Sequence, residues 1–128
     1  MVVERLKKHS ISFRYAFRGL YYALKTQPNF TVHFFFTVLA IFLGWALAID
    51  ITEWAILVLT VLMVLTTEAV NTAIEMVTDA LKVHKKTEKD DFYIMVAKDI
   101  GAGAVLLSAL GSVIVGLIIF GPKLWLGR

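Results

Sequence analysis

FTVHFFFTVLAIFLGWALAI, residues 30–49, runs for 20 residues with His33 as its one ionisable side chain. At about 1.5 Å of rise per residue, a helix of that length crosses the roughly 30 Å hydrocarbon core of a bilayer. The stretch therefore predicts a first transmembrane helix. Residues 50–53, DITE, then read as a minimal turn without Lys or Arg, so a second helix must run back antiparallel from near Trp54, an interfacial aromatic. Residues 55–65 are apolar apart from Thr60, but Glu68, Asn71, Glu75 and Asp79 follow while the helix is still inside or leaving the membrane. From the level of Asp50, Glu68 lies roughly 25 Å along that helix, in the far leaflet or at its boundary. Residues 82–91 read as a polar loop, and 100–120 contain no charge over 21 residues, a third span. Along it Ala104, Ser108, Ser112 and Gly116 recur every four residues, a small-residue stripe suited to close helix packing.

Working back from residue 30, Leu6, Phe13, Phe17, Leu20 and Leu24 recur at helical spacing, with Lys7, Arg14, Arg18 and Lys25 on a separate stripe. That is the pattern of an amphipathic surface helix over about residues 4–26, its basic stripe among anionic headgroups; simple anchoring or presentation of a soluble reagent to a lipid would both use it. Pro28 should end or kink this helix. The expected architecture is all-α and integral to the membrane: one domain over residues 1–128, with a surface helix and spans at about 30–49, 54–80 and 98–120.

Composition agrees. With 128 residues, 59% hydrophobic and 18% charged, and a mean hydropathy of +0.75, the chain is too apolar for a soluble domain. The formal charge of +3 comes from basic residues flanking apolar runs, which points to a membrane surface and away from nucleic acid. Without cysteine, disulfides, thiolate nucleophiles and thiolate-bound metals are excluded. Residues 1–25 mix charges with apolar residues and hold no continuous apolar core, so no cleavable signal is expected. Six Lys and Arg precede the first span and five fall within 81–99, against none in the turn at 50–53. The N-terminus and the 81–99 loop are thus expected in the cytoplasm and the C-terminus outside.

At about 100° per residue, Glu68, Asn71, Glu75 and Asp79 fall within roughly 80° of one helix face. A carboxylate at the bilayer's edge is unfavourable by roughly 1–3 kcal/mol unless it faces a partner, water or a metal. Interhelical glue is the plainer use, and Asn71 with Thr67 or Thr72 would supply it. An oxygen-rich cluster without cysteine or paired histidine suits Mg²⁺, which takes one or two carboxylates plus substrate phosphates. Lys98 and Asp99 open the third span at the same level as Glu75 and Asp79, where Lys98 could hold a phosphate or simply pair with Asp99. Acids for a metal, a lysine for phosphate and a lipid-facing position together describe phosphoryl transfer from MgATP to a membrane alcohol. His33 either approaches the lipid headgroup or serves as a hydrogen-bonded structural residue.

EAVNTAIEMVTD at 68–79 and AKDIGAGAVL at 97–106 resemble the two signature blocks of the prokaryotic diacylglycerol kinase family, which includes undecaprenol kinases; SFRYAFRGL at 12–20 and PNFTVH at 28–33 extend the likeness. The resemblance implies a homotrimer in the bacterial inner membrane whose active sites are shared between subunits. It implies that Glu68 is the general base, with Asn71 orienting it, that Glu75 binds nucleotide-associated Mg²⁺, and that Lys98 neutralises phosphate charge. By the same likeness Asp99 and Tyr15 contact or support the nucleotide, and Asp79 supports a helix end. Two departures stand out. Gln27 occupies the place of a second metal-binding glutamate, offering a neutral carbonyl oxygen with a weaker field, and the 82–93 loop is long and lacks a His-Pro pair. SFRYAF and PNFTVH look more like the undecaprenol-kinase branch, which favours undecaprenol over diacylglycerol as acceptor. A structural or pore-forming oligomer is the rival of another class, although a pore would want polar residues through both leaflets.

Overall fold

A computed structural model describes residues 2–83 and 87–127, with side chains for 13–83, 87–125 and 127. Four helices follow in order, α1 (Val2–Thr26), α2 (Pro28–Ala46), α3 (Ile51–Lys82) and α4 (Glu88–Leu126), with no strand among the described residues. The last three are each long and apolar enough to cross a membrane. Phe35, Leu59, Leu107 and Ile118 are all more than 60% exposed. A surface so apolar would aggregate in water and is at home in acyl chains. The chain is a multi-pass membrane protein.

Pro28 does break the N-terminal helix from the next. Gln27 sits between them with extended dihedrals (φ −110°, ψ 107°), and Pro28 starts α2, where its missing N–H has no carbonyl to serve. Thr31 Oγ1 reaches back across the break to donate to Leu24 O at 2.8 Å, and Ala23 and Phe30 bury the inside of the corner. The aromatic face of α1 is open, with Phe13 70% and Phe17 71% exposed; Leu6 and Lys7 lie outside the described side chains.

The turn between α2 and α3 falls earlier than the apolar run suggests. The helix expected to last to Ile49 stops at Ala46, and the one expected near Trp54 begins at Ile51. Hydropathy reports the solvent, whereas backbone hydrogen bonds end a helix. Ala48 adopts φ +49°, and with it Ala48 N–H donates to Trp45 O at 3.2 Å and Ile49 N–H to Gly44 O at 3.1 Å, a Schellman closure with Ile49 folded against Gly44. Asp50 then caps α3. Its Oδ1 accepts from Thr52 N–H at 2.7 Å and Glu53 N–H at 2.9 Å, while Glu53 Oε2 accepts from Asp50 N–H at 2.8 Å.

The polar loop expected at 82–91 is also corrected. Lys82 still belongs to α3 and Glu88 already opens α4, because Thr87 and Asp90 form a second reciprocal cap. Residues 84–86 of that connection lie outside the described residues. At about 1.5 Å per residue, α3 is roughly 48 Å long and α4 roughly 58 Å. Both therefore project past a roughly 30 Å core.

These two helices form the main contact of the fold. Their register is antiparallel: as the α3 partner steps back from Asp79 through Asn71 and Thr67 to Glu53, its α4 counterpart climbs from Lys98 through Gly101 and Ser108 to Lys123. The apolar core gathers at the turn end, where Ile49, Leu57, Ile119 and Phe120 pack with Trp54 and Leu43. At the other end the same interface turns polar.

Candidate functional site

The polar end is built on one face of α3. Glu68 is 2% and Asn71 4% exposed, both buried within the membrane-spanning helix beside the buried Thr72. Asn71 Nδ2 donates to Glu75 Oε1 at 3.1 Å, which orients that half-buried carboxylate. The spacing of four residues places the amide directly beneath it. Asn71 can sit there because α4 presents Gly101 opposite; a β-carbon at that position would collide with Asn71 Oδ1. Thr67 Oγ1 and Ser108 Oγ, one turn deeper, are joined at 2.8 Å and close the helix pair beneath the acids.

Two buried oxygens, Glu68 Oε2 and Asn71 Oδ1, have no hydrogen-bond partner among the described residues. Orphaned buried polar atoms are costly and mark places where a ligand completes the network. His33, half-buried on α2, lines a cavity of about 380 Å³ between α2, α3 and α4. Its other walls include Phe36, Leu57, Val64 and Val113. Val64 lies one turn from Glu68 on the same face. The arrangement is a mainly apolar slot with the His33 imidazole in its wall, and Glu68 follows one helical turn beyond Val64, outside the lining.

Farther out, Lys98 Nζ lies 2.9 Å from Asp79 Oδ1, and Lys82 Nζ 3.5 Å from the same oxygen. Lys98 thus pairs across to α3 and not with its neighbour Asp99, which is exposed. The helix face explains the choice, since adjacent residues point about 100° apart. Asp79, one turn beyond Glu75, is taken up by the two lysines.

Not every expected site residue comes together within one chain. Glu68, Asn71 and Glu75 do, and Asp79 with Lys98 forms a second pair. Gln27 contacts Thr26, its Nε2 lying 3.4 Å from Oγ1, and Tyr15 carries Arg18 over its ring at 4.8 Å. Neither has a described hydrogen bond or ion pair to the acids. Among the described residues no three acidic or histidine side chains converge on a point. A cation with mostly substrate and water ligands needs no such cage, and Glu75, steered by Asn71, has the donor chemistry for one. Gly101 and the Thr67–Ser108 bond were not singled out as site features from the sequence. For Gly101, a glycine three residues after Lys98 was the available signal.

Comparison with known proteins identifies the family. A profile described as prokaryotic diacylglycerol kinase matches residues 14–120. A diacylglycerol kinase from Synechocystis sp. is 41% identical over 114 residues, covering 89% of this chain and 63% of that protein. This chain therefore spans somewhat under two thirds of that relative's length. An undecaprenol kinase from Bacillus subtilis is 36% identical over 121 residues, 94% of each chain. No solved structure matches significantly. The profile takes in all four site carboxylates and amides on α3 and the facing segment of α4, and the chain belongs to the prokaryotic diacylglycerol kinase family, a family of membrane lipid kinases.

Proposed function

We propose that this protein transfers the γ-phosphate of MgATP to the hydroxyl of a lipid alcohol, with undecaprenol favoured over diacylglycerol. The observation that carries the reading is Glu68, a carboxylate 2% exposed, with an unpartnered oxygen, beside an apolar slot. The lipid tail occupies the slot and its hydroxyl meets Glu68, which accepts the hydroxyl proton as the oxygen attacks the γ-phosphorus. The bond from phosphorus to the β,γ-bridging oxygen breaks and ADP leaves. Lys98, held by Asp79, neutralises charge on the transferring group, and Asn71 keeps Glu75 aimed. Mg²⁺, when bound, would be held by Glu75 with the nucleotide phosphates and would offset their charge; Gln27 is the weaker second position. Tyr15 and Asp99 support the nucleotide. Because Tyr15 and Gln27 stand apart from the acids in one chain, a homotrimer that completes each site with a neighbour's residues is part of the proposal. The polar end, the N-terminus and the 81–99 segment face the cytoplasm across a bacterial inner membrane, and the C-terminus lies outside. The diacylglycerol kinase is the more identical of the two relatives, at 41% against 36%, but the undecaprenol kinase is matched over 94% of both chains, and that end-to-end likeness supports the choice of acceptor.

The test is phosphate transfer from γ-labelled ATP, with Mg²⁺, to undecaprenol and to diacylglycerol presented separately to protein in mild detergent. Transfer favouring undecaprenol, reduced by about 10²- to 10⁴-fold in Glu68→Gln, is expected. Preference for diacylglycerol would overturn the acceptor, and undiminished transfer in Glu68→Gln would overturn the base. No transfer by wild type, restored in Gln27→Glu, would mean that the missing carboxylate had disabled a kinase scaffold.

A further inference from the structure

A second and larger cavity, of about 1010 Å³, opens between α1, α2 and α3. Its walls include Phe34 on α2, Leu65 and Ala69 on α3, and Tyr15, Arg18 and Gly19 on α1. At 100° per residue the α3 residues that line it lie from about 40° (Thr72) to about 160° (Thr66) around the helix from Glu68, so the cavity occupies the adjoining face and meets the phosphoryl-transfer face only at its edge. Its charge is one-sided. Arg18 is among the lining residues, Arg14 is exposed one turn before it, and Lys25 stands over the Tyr21 ring at 4.9 Å. No lining residue is acidic.

Arg18 is held in a particular way. Its guanidinium carbon sits 4.8 Å from the Tyr15 ring centroid, so the ring takes the cation's face. Stacking of this kind leaves the guanidinium edge, with its fork of N–H donors, available to a phosphate. A basic pocket between helices at one membrane face, with apolar walls running inward from it, is complementary to an anionic lipid. We propose that this cavity binds a resident anionic glycerophospholipid of the membrane, its phosphate on Arg18 and an acyl chain along Phe34, Leu65 and Ala69. The lipid would wedge the surface helix against α2 and α3. The bound lipid is distinct from the lipid that is phosphorylated, although the cavity shares Tyr15 with the proposed nucleotide site.

Gly19 supplies the means of testing it, because a β-carbon there meets nothing within 4 Å. Gly19→Trp puts a ring into the cavity and replaces a poor helix former with a better one. Delipidated full-length protein in detergent is titrated with dioleoyl-phosphatidylglycerol or dioleoyl-phosphatidylcholine, and bound lipid is counted by native mass spectrometry, which also reports the oligomeric mass. Wild type is expected to hold one tight site per chain that prefers phosphatidylglycerol by about fivefold or more. Arg18→Gln should bring the two lipids level, and Gly19→Trp should remove the tight site with the oligomeric mass unchanged. Equal binding of the two lipids by wild type, or a tight site that persists in Gly19→Trp, overturns the proposal. So does an oligomer that falls apart in Gly19→Trp, since a second copy of the chain would then be the occupant.

Discussion

Asn71 divides its amide between two tasks, donating one hydrogen to Glu75 at 3.1 Å and pressing its oxygen toward Gly101. Removing it in Asn71→Ala frees the Glu75 carboxylate to turn away. Activity or apparent Mg²⁺ affinity should fall about 10- to 100-fold, as for other groups that orient a metal-binding carboxylate; a Mg²⁺ titration of phosphate transfer would show it. Gly101→Ala attacks the same arrangement from α4. The added methyl collides with Asn71, and the expected penalty is about 1–3 kcal/mol, with activity lost in parallel. Gly103 is the control, since a β-carbon there touches nothing within 4 Å. Gly103→Ala should be neutral or stabilise by up to about 1 kcal/mol through helix propensity. Thermal unfolding in detergent separates the two, and a Gly101→Ala protein as stable as Gly103→Ala would contradict the packing described.

At the scale of elements, the turn between α2 and α3 carries a built-in strain. Ala48 holds φ +49° where glycine is the usual occupant. Ala48→Gly should raise stability by about 1 kcal/mol, because relief of the left-handed strain outweighs the added freedom of the unfolded chain. An unchanged or lowered unfolding midpoint would refute this. Glu53 belongs to two structures at once: it completes the cap of α3, and its Oε2 lies 3.1 Å from Lys123 Nζ near the end of α4. The pair's side chains are only 24% and 19% exposed. Glu53→Ala should therefore be worse than Lys123→Ala, by about the 0.5–1.5 kcal/mol of the one hydrogen bond it gives to the cap, since Asp50 keeps its own bonds to the helix start, in the same unfolding assay. Equal losses would mean that the cap contributes little beyond the ion pair.

For the whole molecule, orientation in the membrane is the property that places the site in reach of ATP. The chain has no cysteine, so single-cysteine reporters are free of background. Lys89 and Trp125 are exposed near opposite ends of α4. In intact cells an impermeant thiol reagent should label Trp125→Cys and spare Lys89→Cys, and membrane rupture should bring Lys89→Cys up to the same level. The reverse pattern would put the acids on the side away from ATP.

Residue spacing and composition were enough for the membrane class, the three long apolar helices, the break at Pro28 and the acid-bearing face of the second span. Each is a local property: a run of apolar residues, a fixed φ, or a 3.6-residue period acts wherever the chain goes. Residues 68–79 and 97–106 also made the family legible. Helix ends were less so, because Ala48 and Thr87 act through backbone geometry and caps that hydropathy does not register. Pairing across helices was decided only by tertiary structure. Lys98 chose Asp79 over its sequence neighbour Asp99, Asn71 found Gly101, and Glu53 found Lys123, because the antiparallel register of α3 and α4 sets which side chains meet, and that register comes from packing along the whole helix pair.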